Sequence, residues 1–225
     1  MISIIIPTLN EEKYLPKLLK SIKKQNFNDY EIIVADANSI DKTVEVAKSF
    51  ACKITKGGLP AIGRNQGAKI AKGDIFLFID ADSALPDDFL DSLLKEFKKR
   101  NLDIASFPLY VKGNRFDKFA YWIYNFWTKI SQKFLPHATN SLLVKKEIHQ
   151  KINGFDEEIK IGEDHDYAKR AAKYGKFAFI ATKPILASDR RFKKDGRFKT
   201  YLKYILAGIY MLIFGPVKSD KIRYF

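Results

Sequence analysis

Short apolar runs alternate with helical patterns along the first 80 residues, and this alternation constrains the fold more than any other feature. Four runs predict buried strands, at residues 3–6, 31–35, 53–55 and 74–80. Between them, apolar residues recur at helical spacing, and residues 60–72 predict a helix that ends at Gly73. Strand and helix signals that alternate in this way are typical of a largely parallel sheet with helices on both faces. The sequence therefore predicts an α/β fold with a mostly parallel, mixed sheet.

The second half of the chain is less regular. Its patterns predict strands at residues 104–112 and 176–181, helices at 142–152 and 163–174, an aromatic segment at 116–136 and an apolar helix at 201–217. No linker separates the two halves, so we expect residues 1–225 to form a single domain.

Polar side chains follow three of the predicted strands. These segments are residues 7–12, 36–41 and 80–83, and they contain carboxylates and amides. In open parallel sheets, ligands bind beyond the carboxyl ends of the strands. The sequence therefore predicts a binding site at this edge of the sheet.

One of these segments places two acids a single residue apart. The apolar run 75–79 leads directly into Asp80, Ala81 and Asp82. On a strand, residues i and i+2 point to the same side, so two carboxylates would repel each other there. A hard divalent cation would remove this repulsion, because carboxylate oxygens are its preferred ligands. We therefore predict a metal site at the end of the fourth strand.

The overall charge predicts an anionic partner. Lys and Arg number 40 against 26 Asp and Glu, which gives a formal net charge of +14. Such an excess attracts nucleic acid, anionic lipid or phosphorylated small molecules. A nucleic-acid-binding protein would leave the carboxylates at three strand ends unexplained, because they would repel phosphate, so we expect no nucleic-acid partner.

The cysteine content and the N-terminus indicate a compartment. Cys52 is the only cysteine, which excludes an internal disulfide and fits a reducing environment. No basic segment precedes the first apolar run, as it would in a signal peptide. We therefore expect a cytoplasmic protein.

Four stretches, in this order, resemble the motifs of the GT-A-fold glycosyltransferases of family 2. They are SIIIPTLNEE (3–12), VADANSIDKT (34–43), GDIFLFIDADSALPDDF (73–89) and GFDEEIKIGEDHDYAKRA (154–171). The resemblance implies an enzyme that moves one sugar from a nucleotide-diphospho-sugar, UDP- or GDP-linked, to an acceptor. It also implies a nucleotide-sugar-binding half at residues 1–112 and an acceptor half at 113–200.

The resemblance assigns roles to individual residues. Asp82 would be the direct ligand of Mg²⁺ or Mn²⁺, and Asp80 would lie near the ribose or the water shell of the metal. The residues expected to bind the donor are Pro7, Thr8, Asn10, Glu11, Asp36, Arg64, Asn65, Asp80, Arg190 and Arg191. The segment 36–39 reads Asp-Ala-Asn-Ser, where the family usually has Asp-Asp-Gly-Ser or Asp-Gly-Gly-Ser, and this leaves the base open between uracil and guanine. For the arginine pair, the alternative is a place in the basic surface.

Catalysis would depend on an acidic pair. Transfer with inversion needs a base that deprotonates the acceptor hydroxyl. The resemblance gives this role to Asp164, with Glu163 near the acceptor. Acids in the first turn of a helix are also favourable because of the helix dipole alone. For His137, His149 and His165 we expect no functional role.

One alternative keeps the fold but changes the reaction to the synthesis of sugar nucleotides. A nucleotidyltransferase that makes sugar nucleotides usually begins with a glycine-rich phosphate loop after the first strand, and residues 7–11 contain no glycine. A processive polysaccharide synthase would carry a Gln-x-x-Arg-Trp signature, and the segment around Arg190 lacks it. The sequence therefore favours transfer of a single sugar.

The apolar segment at residues 201–217 raises the question of a membrane. It reads YLKYILAGIYMLIFGPV, which Lys203 interrupts and Pro216 ends, and it is shorter than the roughly 20 residues of a spanning helix. With lysines at its flanks, it resembles a helix that lies at a membrane interface, and the aromatic segment 116–136 has a similar composition. The alternatives are packing on the sheet or in a homodimer interface. A peripheral enzyme at the inner face of the cell membrane, acting on a lipid-linked acceptor such as a polyprenyl phosphate, would explain both segments.

Overall fold

The computed structural model describes residues 1–139 and 141–218. The strands are β1 Ile2–Thr8, β2 Tyr30–Asp36, β3 Lys53–Lys56, β4 Ile75–Ile79, β5 Ser83–Ala84, β6 Ile104–Ser106, β7 Leu109–Val111, β8 Ser141–Lys145, β9 Phe177–Phe179 and β10 Ile185–Ala187. The helices are α1 Leu15–Lys23, α2 Thr43–Ser49, α3 Pro60–Ile70, α4 Phe89–Lys99, α5 Arg115–Ser131, α6 Lys146–Lys151, α7 Glu163–Ala171, α8 Arg190–Asp195 and α9 Arg197–Phe214.

A seven-stranded sheet with the order β3-β2-β1-β4-β8-β6-β9 forms the centre of the molecule. The strands from β3 to β4 are parallel, β8 is antiparallel to both of its neighbours, and β9 is parallel to β6. This arrangement confirms the predicted α/β fold with a mostly parallel, mixed sheet. A second sheet of three short strands, β5-β10-β7, lies beside it.

The two faces of β1 organise the core. Ile4 and Ile6 pack among the buried side chains of α1 and α4, whereas Ile5 belongs to the cluster around α3 and α7. A continuous β-branched run suits this position, because both faces of a central parallel strand are buried. Gly67 lets α3 approach β1 closely, since a Cβ atom at this position would lie 2.4 Å from Ile5 Cγ2.

The register of the parallel strands brings the predicted site together. Thr8, the last residue of β1, lies opposite Asp36, the last residue of β2. The neighbouring strand β4 ends at Ile79, immediately before Asp80. Three polar segments from distant parts of the sequence therefore meet at one edge of the sheet, as predicted.

Two secondary-structure predictions for the second half are wrong. Residues 142–145 belong to the strand β8 and not to a helix, which occupies only Lys146–Lys151. Residues 104–112 form two strands in different sheets, β6 and β7, and Pro108 lies between them. Short apolar runs fit a buried strand and a buried helix equally well, so the pairing partners decide between them.

The last helix, α9, extends over Arg197–Phe214 and begins earlier than residue 201. Among residues 1–139 and 141–218, no helix is both long enough and apolar enough to cross a bilayer.

Candidate active site

A buried arginine connects two of the predicted site acids. Arg64 lies in the middle of α3 and is 3% exposed. Its Nη2 lies 2.8 Å from Asp80 Oδ1, and its Nη1 lies 2.7 Å from Glu163 Oε1. The ring of Phe155 lies under the guanidinium, with its centroid 5.3 Å from Cζ. Arg64 therefore joins the end of β4 to the start of α7, which are 83 residues apart in the sequence.

The carboxylates around Arg64 shift one another's pKa. Burial raises the pKa of Asp80 to about 6, which Arg64 opposes and Asp82, Glu163 and Asp164 reinforce. Burial alone would lower the pKa of Arg64, but Asp80, Glu163 and Asp164 raise it well above its usual value, so this side chain stays charged. Because Asp80 interacts with both Asp82 and Asp164, all three belong to one electrostatic cluster.

A second arginine holds the other acid of the Asp-Ala-Asp segment. Arg190, the first residue of α8, places Nη1 2.6 Å from Glu11 Oε1 and Nε 3.1 Å from Asp82 Oδ2. The hydroxyl of Ser188 also donates to Asp82 Oδ2, at 2.8 Å. Burial raises the pKa of Glu11, although Arg190 opposes this. Its Oε2 is buried, and no group within the part of the chain that the structure describes donates a hydrogen bond to it.

Asp80 and Asp82 lie beyond the end of a strand, and the prediction that strand alternation places them on one side is wrong. The strand β4 ends at Ile79, so neither acid belongs to a strand, and period-2 geometry does not apply to them. Each carboxylate instead has its own arginine, Arg64 or Arg190. Two guanidinium groups therefore neutralise part of the negative charge of Asp80 and Asp82. The sequence predicted that a metal cation would neutralise this charge.

The residues fit a metal ion only in combination with a further ligand. No three His, Cys, Asp or Glu side chains in the described ranges are grouped so that they could hold a metal ion by themselves. Asp82 and the unbonded, buried Oε2 of Glu11 are oxygen donors beside the same arginine. Mg²⁺ is commonly bound through one or two carboxylates together with substrate phosphates. The donor set therefore suits a divalent ion that a diphosphate also coordinates.

The ends of β1 and β2 form a hydrogen-bonded rim. Thr8 Oγ1 donates to Asp36 Oδ1 at 3.0 Å, and Ser39 donates to Asp36 through its hydroxyl (2.6 Å) and its backbone N–H (2.9 Å). Asn10 has a left-handed backbone conformation (φ 56°), and its Oδ1 accepts the N–H of Ile40. Pro7 lies near the end of β1 and close to α3, since a Cβ atom added at Gly63 would lie 3.1 Å from the Cβ atom of Pro7.

Asn65 and Arg191 also lie at this edge, with different environments. The Asn65 side chain is buried, donates to Phe155 O and Glu157 Oε1, and accepts the N–H of Phe155. Its amide therefore ties α3 to residues 155–157. Arg191 contacts Tyr204 Oη at 3.4 Å. Burial alone would lower the pKa of Arg191, but Tyr204, Asp82 and Asp80 raise it, so its charge interacts with the acidic cluster.

The predicted base lies in the first turn of α7. Gly162 precedes this helix with φ 85°, a conformation that favours glycine. Burial alone would raise the pKa of Asp164, but His165 and Arg64 lower it below its usual range. Its Oδ1 also accepts the backbone N–H of His165 at 2.9 Å. Asp164 is therefore ionised at neutral pH and points into the same cluster as Asp80.

Two histidines without an expected role surround Asp164. The ring of His165 stacks on His137 with centroids 3.8 Å apart, and His137 Nε2 lies 3.1 Å from Tyr124 Oη on α5. Burial, with His165 next, lowers the pKa of His137 to about 3, so it is neutral at pH 7. The position of His165 beside Asp164 was the only signal in the sequence, and nothing predicted that His137 and Tyr124 would join it.

The third histidine has a structural environment. His149 is buried, and its Nδ1 lies 2.9 Å from the hydroxyl of Tyr167. Burial lowers the pKa of His149 to about 4, and Arg170 contributes to the shift.

Comparison with known proteins adds independent evidence. The sequence profile of glycosyl transferase family 2 matches residues 3–152. A dolichol-phosphate mannosyltransferase from Pyrococcus furiosus is 35% identical over 166 residues, which cover 68% of this chain and 45% of that protein. A poly(ribitol-phosphate) β-N-acetylglucosaminyltransferase, TarS, from Staphylococcus aureus is 31% identical over 112 residues, or 45% of this chain and 20% of that protein.

Solved structures share the fold. S. aureus TarS 1–349 in complex with UDP-GlcNAc superimposes with a TM-score of 0.70 at 20% identity, covering 83% of this chain and 58% of that one. The mannosyltransferase PcManGT from Pyrobaculum calidifontis, in complex with GDP-Man and Mn²⁺, superimposes with a TM-score of 0.65 at 19% identity, covering 83% of this chain and 56% of that one. The chain thus spans less than two thirds of each of these proteins. The matched profile, the fold and the cluster at the strand ends together show that the chain belongs to glycosyltransferase family 2 and has the GT-A fold.

Proposed function

We propose that this chain is a metal-dependent, inverting glycosyltransferase that moves one sugar from a nucleotide-diphospho-sugar to an acceptor. The observation that carries the proposal is the convergence of Asp82, Asp80 and Asp164 in one cluster at the carboxyl ends of β1, β2 and β4. Asp82 suits a complex of a metal ion with the diphosphate, and Asp164 is an ionised carboxylate that could accept a proton.

The donor is proposed to lie along the rim of the sheet. Residues 7–11 and Asp36 would contact the base and ribose, while Asp82, Arg190 and Arg191 would meet the diphosphate. PcManGT was solved with GDP-Man and Mn²⁺ and TarS with UDP-GlcNAc, which supports a UDP- or GDP-linked donor and Mg²⁺ or Mn²⁺. When bound, the divalent ion would neutralise charge on the diphosphate leaving group.

Asp164 and Glu163 would have different roles in the transfer reaction. Asp164 would accept the proton of the acceptor hydroxyl while that oxygen attacks the anomeric carbon opposite the diphosphate. Arg64 keeps Asp164 ionised and binds Glu163, so Glu163 is fixed beside the base instead of competing for the proton. Where the acceptor is already an anionic phosphate, no proton has to be removed from it, so the loss of Asp164 should cost less.

The acceptor is proposed to be a hydroxyl or phosphate on a lipid carrier, bound by residues 113–200. Support comes from the dolichol-phosphate mannosyltransferase relative, which is named for such an acceptor. Within this proposal the enzyme works in the cytoplasm, at the inner face of the cell membrane.

Two single substitutions test the assignments separately. Asp164→Asn should leave nucleotide affinity within about twofold and lower transfer to a hydroxyl acceptor roughly 10²- to 10⁴-fold, the usual contribution of a general base. Asp82→Asn should instead weaken Mn²⁺-dependent binding of the nucleotide. Asp166→Asn, in the same helical turn but paired with Arg170, is the matched control and should leave both unchanged.

Nucleotide binding is measured by thermal shift with UDP or GDP, with and without Mn²⁺. Transfer is measured as donor consumption in the presence of polyprenyl phosphate or a panel of sugar acceptors. Metal-independent binding, or no binding at millimolar nucleotide, would argue against the donor site. Transfer to a sugar hydroxyl by Asp164→Asn at the original rate would remove the base role.

A further inference from the structure

Two helices expose an unusual amount of apolar surface. On α5, Trp122 and Trp127 are each 61% exposed, and Phe126 lies between them in the sequence and is also exposed. On α9, Phe198 is 83% exposed, and Leu212 and Ile213 are exposed near the other end of the helix. Large apolar patches on a folded protein mark interaction sites. We call these exposed residues of α5 and α9 the two-helix face.

The two helices contact each other at their first turns. Phe116 of α5 is 60% exposed and packs edge-on against Tyr201 of α9, with ring centroids 5.4 Å apart. The buried Asp117 accepts hydrogen bonds from Arg197 Nε and Tyr201 Oη, each at 2.9 Å. The apolar surface of α5 therefore continues onto α9 through fixed contacts.

The charges on this part of the molecule have one sign. Residues 111–139 and 196–218 contain a single acid, Asp117, and it is buried. Exposed cations of these segments are Lys112, Arg115, Lys118, Lys129, Lys133, Arg197, Lys199 and Lys218. Cations beside an apolar, aromatic surface complement an anionic bilayer, where each strengthens binding about fivefold.

We propose that the two-helix face docks on the surface of an anionic lipid bilayer, with its Trp and Phe side chains at the headgroup level. Tryptophan and other aromatic residues prefer this interface. A second copy of the chain fits less well, because self-association through this face would bring two sets of cations together, and neither helix carries an exposed acid. Crossing the bilayer is not involved, since no helix in the described ranges could span it.

The face adjoins the acceptor side of the candidate site. Tyr124 of α5 contacts His137, which stacks on His165 beside Asp164. Tyr204 of α9 contacts Arg191. Docking would hold the Asp164 side of the cleft near the bilayer, where a lipid carrier presents its phosphate. This last step rests on the proposed function, whereas the docking itself does not.

The two tryptophans of the sequence are Trp122 and Trp127, so tryptophan fluorescence, excited where the 11 tyrosines do not absorb, reports only on this face. The full chain is mixed with vesicles of phosphatidylcholine alone or with 30% phosphatidylglycerol, and flotation is measured in parallel. We expect flotation and a blue shift with the anionic vesicles, quenching by lipids brominated near the headgroup, and weaker binding at high salt.

The variant Leu212→Glu/Ile213→Glu should reduce binding to the anionic vesicles roughly 10-fold or more, because it puts charge on the apolar surface. Ile40→Glu is the matched control, since Ile40 is an exposed apolar residue outside both helices, and it should bind normally. Equal binding of all three proteins, no binding by the native chain, or a dimer that the double variant dissolves would overturn the proposal. Vesicle binding without a Mn²⁺-dependent nucleotide shift would refute the proposed reaction but not the docking.

Discussion

Replacement of Arg64 by Met should destabilise the protein strongly, because Arg64 is a buried cation shared by two acids. Its guanidinium lies 2.8 Å from Asp80 and 2.7 Å from Glu163. Breaking a buried ion pair by removing one partner costs about 3–5 kcal/mol, since the other charges stay in place without compensation. Asp80 remains 29% exposed, so water screens part of the penalty, and we expect a loss of about 3 kcal/mol.

The assay is urea unfolding, followed by far-UV circular dichroism with EDTA present, so that no metal ion replaces the missing charge. In a thermal unfolding experiment on a domain of this size, the same loss of about 3 kcal/mol corresponds to a fall in Tm of roughly 6–12 °C. Lys95→Met is the control for an exposed pair, because Lys95 contacts Asp91 on the surface of α4, and it should cost less than about 1 kcal/mol.

A second substitution separates lost charge from lost packing. If uncompensated charge causes the effect, adding Glu163→Gln to Arg64→Met should restore part of the stability, with a coupling energy of roughly 1–3 kcal/mol. A loss below about 1 kcal/mol for Arg64→Met, or strict additivity in the double variant, would refute this account of the cluster.

Three further outcomes follow from other contacts. Asn65→Ala should lower the free energy of unfolding in urea by about 2–3 kcal/mol, because the backbone of Phe155 loses both of its partners; a loss under about 0.5 kcal/mol would contradict this. The pKa of His149 is about 4 in the folded protein, below its unfolded value of about 6.5, so the unfolded chain binds more protons between these values. Stability should fall by up to about 3 kcal/mol as the pH drops through this window, and His149→Gln should flatten the slope of unfolding free energy against pH. Arg190→Met should increase the affinity for Mn²⁺ alone about 5- to 10-fold, measured by electron paramagnetic resonance, because Asp82 loses an internal cation; unchanged affinity would show that the pair does not oppose metal binding.

The parallel half of the fold was predictable because its signals are local. Residues 3–6 and 31–35 are continuous apolar runs, and both become central strands, β1 and β2. Residues 142–145 are just as apolar, yet their state depends on pairing with residues 75–79 and 104–105, which are far away in the sequence. Local periodicity contains no information about such partners.

In the site, too, some features follow from local sequence and others depend on distant residues. The acids at strand ends could be located from the sequence, because the carboxyl ends of parallel strands must share an edge. Their partners could not be located in this way. The Arg190–Glu11 contact joins residues 179 positions apart, and the stack of His137 on His165 depends on how the segment after α5 packs against α7. Pairing between distant residues thus determines which charges are balanced.

The charge balance of the cluster has a consequence for the order of binding. Five carboxylates, those of Glu11, Asp80, Asp82, Glu163 and Asp164, face three guanidinium groups, those of Arg64, Arg190 and Arg191. With all groups ionised, the cluster has a formal charge of −2, which would repel a free diphosphate although the chain as a whole is cationic. A divalent ion would remove that charge and also add ligand positions for the diphosphate oxygens. Nucleotide should therefore bind weakly without metal and tightly with it, because the metal removes the repulsion that the three arginines leave.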